Sequence, residues 1–310
     1  MGRIRSVYLL VPLILLTFVS LFLGLKDFPG QARQIIALSR LPRVLSIILA
    51  GMSMSIGGLI MQQIAKNRFV SPTTASTVDA AKAGVLASLI LFPQASSLGK
   101  MVVVFFFALA GTFLFMAILR RIKFKNAVFI PLLGLMLGGI IDSLTTFVAY
   151  RYDLIQNINS WLMGNFSMVT QGRYELLYLS LPLLAVAFLF AHQFTIAGLG
   201  EEFAVNLGLN YNFIVNLGVT IVALLSALVI ITAGRIPFLG LIVPNVASLY
   251  YGDNLKASIT ATALLGSVFL LAADLLGRVI IAPYEIPIGL TVGVLGSMIF
   301  LFLIFRSEGR

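Results

Sequence analysis

Long uninterrupted runs of apolar residues are the feature that most constrains how this chain can fold. Residues 101–119 and 213–232 each lack any charged side chain, and a helix of about 20 such residues crosses the hydrocarbon core of a bilayer. Only 10% of the 310 residues are charged, whereas soluble domains carry about a quarter. The runs are continuous rather than alternating, which excludes membrane β-strands. The sequence therefore predicts an all-α integral membrane protein.

Ten transmembrane segments can be assigned, and they form one membrane domain over residues 1–310 without a linker or a soluble domain. The first follows a basic start and lacks a clear small-residue cleavage site, so we interpret it as a retained span rather than a signal peptide. The eighth is short and is broken by Pro244. The predicted spans are 7–25, 44–64, 73–91, 101–119, 128–150, 176–194, 213–232, 238–251, 258–276 and 288–305.

The distribution of basic residues gives a weak orientation. The densest basic group, at 120–125, places the loop after span four and the N-terminus in the cytoplasm. Arg40, Arg43 and Arg278 then fall outside or near the outer boundary, where they would suit docking of an acidic partner. The alternative for Arg40 and Arg43 is anchoring to lipid headgroups. The alternative for Arg278 is an ion pair with Asp274, one helical turn earlier.

Residues 198–212 lie between two long apolar spans but resemble a piece of soluble protein. Two adjacent glutamates suit the first turn of a short helix, and a glycine beyond them suits its left-handed cap. A helix of about two turns is not stable alone in water, so we expect another protein to hold this stretch and to act on it. An interfacial loop that merely joins two spans is the alternative. The residues assigned to this contact are Gly200, Glu201, Glu202, Phe203, Leu207 and Gly208.

Ionisable residues within the spans are rare and mark paired or functional positions. Asp79 and Lys82 are three residues apart in span three, and we expect them to neutralise each other. Asp142 in span five has no partner in the sequence, so a water-filled path or another helix is expected beside it. Thr145 and Thr146 add hydroxyl groups nearby, although bonding to the helix backbone explains such hydroxyls equally well.

The segment that joins spans two and three is a candidate inner gate. Pro72 disfavours a continuous helix across residues 67–72, and irregular backbone at membrane depth is tolerated where protein or water covers it. Asn67, Phe69 and Val70 are the residues assigned to this gate. A plain turn is the equal alternative.

Spans five and ten are the candidates for helices that line a path. Each contains Gly-x-x-x-Gly, at 134–138 and 289–293. This spacing lets helix backbones approach closely. The pattern is common in glycine-rich membrane helices and is weak evidence alone.

Several kinds of chemistry lack the residues that they need. The chain has no cysteine, one histidine, no Gly-x-x-x-x-Gly-Lys-Ser/Thr loop, no His-Glu-x-x-His and no nucleophile elbow. We therefore assign no catalytic residue and no metal ligand, and we do not expect an enzyme. If transport is driven, its energy would enter from a partner at residues 198–212. A secondary carrier or channel that works without ATP is the alternative.

Six sequence blocks, in this order, resemble the permease subunits of the FecCD/cobalamin type of bacterial ABC importer. The match runs nearly end to end. The blocks are Arg40-Leu-Pro-Arg43, residues 67–72, Trp161-Leu-Met-Gly164, Leu199-Gly-Glu-Glu202 with Leu207-Gly208, residues 236–244, and Glu285-Ile-Pro-Ile-Gly289.

This resemblance implies a ten-helix type II importer permease in the bacterial cytoplasmic membrane, paired with a second permease around a central path. Two cytoplasmic ATPase subunits, which bind ATP and Mg²⁺, and an external substrate-binding lipoprotein would complete the importer. The chain itself would bind no cofactor and no nucleic acid. Residues 200–208 match the coupling helices that sit on the ATPase, and residues 67–70 match a cytoplasmic gate loop. The three arginines match those that meet acidic residues of the binding protein.

Departures from the family pattern indicate a subgroup. Asn245 and Ser248 stand where the family often has histidine and arginine, and Arg68 replaces a usual proline. These departures resemble the permeases for catecholate or petrobactin-type ferric siderophores. That subgroup often pairs two different permease chains, so we expect a heterodimer rather than a homodimer. Cobalamin and haem are the alternative substrates.

Overall fold

The structure is a computed structural model that describes the chain except residues 1–5, 24–29, 31, 74–75, 123–128, 173, 253 and 309–310. The described residues are almost entirely helical, with an isolated bridge between Met163 and Arg235. Short 3-10 turns, Ser6–Leu9 and Glu175–Leu179, precede α1 and α8, and a π-helical turn, Ile36–Arg40, precedes α3. The helices are α1 (Leu10–Phe22), α2 (Ala32–Ile35), α3 (Leu41–Ile64), α4 (Thr77–Leu91), α5 (Ser97–Arg121), α6 (Phe129–Arg151), α7 (Ile155–Leu162), α8 (Ser180–Leu189), α9 (Ala191–Leu199), α10 (Glu201–Asn206), α11 (Tyr211–Ala233), α12 (Leu239–Tyr251), α13 (Leu255–Val279) and α14 (Ile288–Glu308).

Each predicted span coincides with a helix, but the helices differ in how far they reach. Five stretches within the described residues are long and apolar enough to cross a membrane alone. The sixth predicted span is a helix pair bent by 57° between α8 and α9. The first, eighth and tenth are shorter apolar helices, and α4 has only 15 residues. At 1.5 Å per residue, α4 is shorter than the hydrocarbon core is thick, so it crosses only part of it.

Helix α3 is the central element of the domain. It packs against α11, α12 and α13 and also contacts α8 and α9. In its most apolar 18-residue stretch, 83% of the residues are buried. Protein rather than lipid therefore surrounds this stretch. Pro42 lies in its first turn, as the sequence predicts. The π-helical turn before it keeps the helical run continuous from Ala32 to Ile64.

Glycine permits the close approach of α3 to its neighbours. A Cβ atom on Gly58 would overlap the backbone of Gly240 in α12. A Cβ atom on Gly51 would lie 2.7 Å from the carbonyl oxygen of Gly266 in α13. Because lipid tails are as apolar as leucine, membrane helices associate through close packing of this kind rather than through the hydrophobic effect.

Two stretches of irregular backbone lie inside the helical domain. After α3 the chain turns back along it, since Pro72 packs near Gly57, about 10 Å along the axis from the end of α3. Helix α4 consequently begins within the domain, where the Ser76 hydroxyl donates to the Gly111 carbonyl of α5. Helix α12 begins at the Gly240 contact with α3. Surrounding helices thus shield both stretches from lipid, as backbone at membrane depth requires.

Contacts between loops define the two ends of the domain. At one end Gly200 lies beside Lys66, so the stretch before α10 meets the loop that follows α3. At the other end the Gln171 amide donates to the Leu38 carbonyl at 3.1 Å. The predicted orientation assigns the first end to the cytoplasm and the second to the outside.

The variant Gly58→Ala tests the packing of α3 on α12. We expect it to lower the thermal stability of the detergent-purified protein, because the added methyl group overlaps backbone atoms that cannot rotate away. Overpacking of this kind costs about 1–3 kcal/mol. Gly139→Ala is the matched control, since a Cβ atom there meets nothing within 4 Å. Equal unfolding midpoints for the two variants would contradict the contact.

Candidate functional site

The predicted coupling stretch folds into a short helix with a well-formed cap at each end. Helix α10 begins at Glu201, after Gly200 in a backbone conformation (φ 129°, ψ 162°) that essentially only glycine adopts. At its other end the Gly208 amide donates to Val205 at 2.8 Å and the Leu209 amide donates to Ala204 at 2.9 Å. With Gly208 at φ 78°, this is a Schellman motif. The sequence prediction of a short helix with a left-handed glycine cap is correct.

Helix α10 presents a mixed apolar and acidic surface. Phe203 is 55% exposed and Leu207 58% exposed, whereas Ala204 between them is fully buried against the domain. Glu201 and Glu202 are exposed in the first turn. Large apolar side chains held outward on a helix of six residues favour contact with another protein.

The coupling stretch contacts the end of α3 and the loop that follows it. A Cβ atom on Gly200 would lie 2.9 Å from the Lys66 ammonium nitrogen, and one on Gly198 would overlap the Gln63 side-chain oxygen. Displacement of α9 or α10 toward α3 would therefore press on residues immediately before the predicted gate. This contact is a physical route between the two predicted sites.

The predicted gate loop is ordered by short-range bonds and by contacts to two helices. The Asn67 side chain accepts from the Phe69 amide at 2.7 Å, and Val70 is fully buried. The Phe69 ring packs edge-on against Phe300 of α14, with ring centroids 6.0 Å apart. The Asn245 side chain of α12 donates to the backbone carbonyl at position 68 at 2.8 Å. The loop is more than a plain connecting turn, while its role as a gate stays a prediction.

The charges within the spans pair differently from the sequence expectation. Lys82 donates to Asp142 of α6 at 2.5 Å and to Thr146 at 3.3 Å. Asp79 instead lies 3.8 Å from Arg235. The expected neutralisation of Asp79 and Lys82 by each other does not take the form of an ion pair between them, because Lys82 pairs with Asp142 of α6 and Asp79 lies nearest Arg235, in the stretch before α12.

The predicted pathway residues on α6 separate into two groups. Asp142 is 44% exposed in its side chain and carries Lys82 as its partner, so the partner that the sequence leaves open is a residue of α4. Thr146 is exposed beside this pair. Thr145 is buried and donates to the Ile141 carbonyl at 2.7 Å, which is the helix-backbone alternative. Thr146, but not Thr145, belongs with the charged residues.

Two of the three predicted docking arginines are engaged within the protein. Arg43 donates to Asp274 at 2.8 Å and to Glu285 at 2.8 Å. Arg278 lies 2.5 Å from the other oxygen of Asp274 and donates to the Ser20 carbonyl at 3.2 Å. The side chains of Arg43, Arg278 and Asp274 are each less than 10% exposed. The alternative of an Arg278–Asp274 pair is confirmed.

This arginine cluster ties together α1, α3, α13 and the chain after α13. A docking partner would reach Arg43 only by displacing Glu285, whose side chain is 34% exposed, whereas Arg40 is partly exposed. Docking by these arginines stays a prediction, and Arg40 is the most accessible of the three for it.

Sequence reasoning did not assign Arg235 or Glu285 to any site. Arg235 is a basic residue between the apolar segments of spans seven and eight, directly before the break that starts α12. That position is a usable signal, because a charge next to irregular backbone at membrane depth needs a partner. Nothing local predicts the partner of Glu285, since it lies 242 residues from Arg43. Among the described residues, no group of three His, Cys, Asp or Glu side chains could hold a metal ion.

Comparison with known proteins identifies the family. The model of the FecCD transport family matches residues 7–306. The chain belongs to the FecCD transport family. This FecCD protein is 58% identical to the petrobactin import system permease protein YclN of Bacillus subtilis, over 97% of this chain and 98% of that protein. It is 38% identical to the ferric-anguibactin transport system permease protein FatD of Vibrio anguillarum, over 91% of this chain and 90% of the relative.

Solved structures support the fold of this FecCD protein. An inward-facing structure of a metal-chelate type ABC transporter has a TM-score of 0.83 at 22% sequence identity. The alignment covers 97% of this chain and 98% of the chain in that structure. The PsaBC structure from Streptococcus pneumoniae has a TM-score of 0.63 at 19% identity, over 92% and 94%. The predicted permease fold of the type II importers is confirmed.

The variant Asp274→Asn tests the arginine cluster of this FecCD protein. It leaves two buried guanidinium groups without their shared charge, and removal of one partner from a buried ion pair costs about 3–5 kcal/mol. We expect a lower unfolding temperature in detergent and less protein in the membrane. Asp153→Asn is the control, because Asp153 is exposed and has a positive φ that asparagine tolerates. Unchanged stability of Asp274→Asn would mean that the cluster is not structural.

Proposed function

We propose that this chain is a permease subunit of an ATP-driven importer that moves an intact ferric siderophore of the catecholate or petrobactin type across the bacterial cytoplasmic membrane. The observation that carries the proposal is the 58% identity to a petrobactin import permease over nearly the full length of both proteins. A ferric-anguibactin permease is 38% identical. A vitamin B12 permease from Klebsiella pneumoniae is 29% identical, so the similarity favours a ferric chelate over cobalamin.

A second permease chain would pack beside α6 and α14. Both helices carry large apolar side chains that are more than half exposed, among them Met136 and Ile140 on α6 and Met298 on α14. Lipid could cover these, but it would not cover the half-exposed charges of Asp142 and Arg235 nearby. We infer that this partner is a different permease chain of the same importer. The transport path would run between the two permease chains.

ATP hydrolysis would take place on two separate cytoplasmic ATPase subunits, where ATP and Mg²⁺ bind, and this chain would contribute the surface of α10. Closure of the ATPase pair would press on Phe203 and Leu207 and so displace α10. The contacts of Gly200 with Lys66 and of Gly198 with Gln63 would carry that displacement toward the gate loop. Transport then needs two arrangements of this route, which the ATPase favours to different extents.

An external substrate-binding lipoprotein would deliver the chelate at the opposite end. Arg40 is an accessible basic group there. Its charge would attract an acidic lobe of the binding protein and so steer docking. A docking carboxylate that competes with Glu285 would also reach Arg43. In this arrangement docking loosens the contact between α3 and the chain after α13.

Reconstituted transport tests the function. Proteoliposomes that contain this chain, its partner permease and the ATPase should accumulate ferric petrobactin from the loaded binding protein only when ATP is present with the ATPase. Cyanocobalamin and haem serve as the alternative substrates. Uptake driven by an ion gradient without the ATPase, or uptake of cobalamin or haem in place of the ferric chelate, would overturn the proposal.

The double variant Glu201→Lys with Glu202→Lys tests the coupling surface. We expect at least a tenfold loss of ATPase binding and of ATP-driven uptake, because both carboxylates are exposed on the surface assigned to the ATPase. The amount of permease in the membrane should stay unchanged, since each favourable charge lost at an exposed helix N-terminus costs only about 0.3–1 kcal/mol. A tenfold change corresponds to about 1.4 kcal/mol. Glu175→Lys, an exposed glutamate at the opposite end, is the control. ATPase copurification equal to that of the control would remove α10 from the interface.

A further inference from the structure

Four charged side chains form a mixed cluster within the membrane domain. Lys82 and Asp142 pair at 2.5 Å, and Arg235 lies 3.8 Å from Asp79. The two pairs are adjacent, because Asp79 and Lys82 lie about one helical turn apart on α4. Two positive and two negative charges give the cluster no formal net charge, which lowers the cost of holding it at membrane depth.

The cluster lies between α6 and α14, two of the helices that carry exposed apolar side chains. On one side Gly138 of α6 leaves room for the Asp79 carboxylate, which a Cβ atom there would overlap. On the other side Phe238, three residues after Arg235, packs against Gly296 of α14. Helix α6 packs chiefly on α4 and α7, and α14 on α12 and α13. The charges are therefore positioned where a path between α6 and α14 would pass.

The two cations of the cluster are satisfied to different degrees. Lys82 is only 13% exposed and is held by Asp142 at short distance. Arg235 is 45% exposed, and its ion pair with Asp79 is too long for a hydrogen bond. A guanidinium group has five N–H donors. Among the residues that the structure describes, the Arg235 guanidinium makes no hydrogen bond, so its donors remain available inside a membrane domain, where an uncompensated charge is costly.

We propose that Arg235 is a ligand-binding residue of the transport path and that it binds the negatively charged face of a ferric chelate. This rests on the proposed function and adds the charge class of the substrate. Catecholate donors are doubly negative when they bind iron, so their combined charge exceeds that of the ferric ion and the complex is an anion. A guanidinium group suits several anionic oxygens at once, because its donors form a planar fork.

Asp79 acts as the internal substitute for this ligand. While the path is empty, its carboxylate offsets part of the charge of Arg235 at 3.8 Å. An arriving anion makes shorter contacts with the free donors and replaces that long-range pairing. When the chelate leaves, Asp79 is the group that offsets Arg235 again, so the site binds the anion without retaining it.

The test uses the complete importer in proteoliposomes with the loaded binding protein and two metal complexes of one chelator. Ferric petrobactin is the first probe. The second is its germanium(IV) complex, in which a tetravalent ion replaces iron and removes one negative charge. The variants are Arg235→Gln and Arg235→Lys. Arg151→Gln is the matched control, since Arg151 is an exposed arginine at the end of α6.

We expect Arg235→Gln to lower the rate of ferric petrobactin uptake about tenfold, the effect of one charge-assisted hydrogen bond. ATPase binding and ATP hydrolysis should stay at the level of Arg151→Gln. The uptake rate of the germanium complex should decrease less, so the ratio of the ferric to the germanium uptake rate should fall in this variant. A residue with a merely structural role would lower both rates equally.

Other outcomes count against the proposal. Uptake by Arg235→Gln at the wild-type rate, or equal loss for both metal complexes, would overturn it. If Arg235→Gln does not assemble, Arg235→Lys decides: retained preference for the ferric complex supports the proposal, and loss of that preference overturns it. Failure of the wild-type importer to take up either complex with ATP would instead refute the proposed function.

Discussion

The fold depends on the requirement that backbone polar groups within a bilayer find partners inside the protein. Helices meet this requirement alone, whereas irregular backbone meets it only where other helices surround it. The close packing of α3 with α12 and α13 through Gly58 and Gly51 supplies that cover. Residues 65–73 and the stretch before α12 can leave helical geometry because α3 and its neighbours enclose them. Both stretches carry residues of the candidate sites.

Both enclosed stretches contact α14. The loop after α3 touches Gly200 at one end and α14 through Phe69 and Phe300. The stretch before α12 carries Arg235 and packs through Phe238 on α14. Helix α14 therefore lies along both irregular stretches in turn. A movement of α10 against α3 would therefore reach α14 through a short series of contacts, as the proposed coupling to an ATPase requires.

Charge pairing in this domain is arranged between elements that are distant in sequence. Arg43, Asp274 and Arg278 join α3 to α13 and are buried, so they hold the fold together. Lys82 and Asp142 join α4 to α6. Arg235 differs from the rest because its pairing is long and its side chain is half exposed. Buried ion pairs are costly to form and more costly to break, so the weakly paired, exposed charge is the one free to act on a ligand.

The sequence alone determined the membrane class, a helix at each predicted span and the short capped helix at Glu201–Asn206. Each of these follows from local properties: apolar length, adjacent glutamates at a helix start and glycine where the backbone must turn left-handed. The six blocks of the family resemblance likewise came from the sequence, and the match over residues 7–306 confirms the family.

Tertiary structure decided which charges meet and which spans are complete. Asp79 lies nearest Arg235 rather than pairing with Lys82, three residues along the same helix. Arg43 pairs with Glu285 across 242 residues. The bend between α8 and α9 and the start of α4 inside the domain were not visible in the hydropathy of those segments. Local sequence determines which secondary structure a segment can form. The partner of an ion pair and the length of a shortened helix depend instead on the neighbours that tertiary packing brings to the segment.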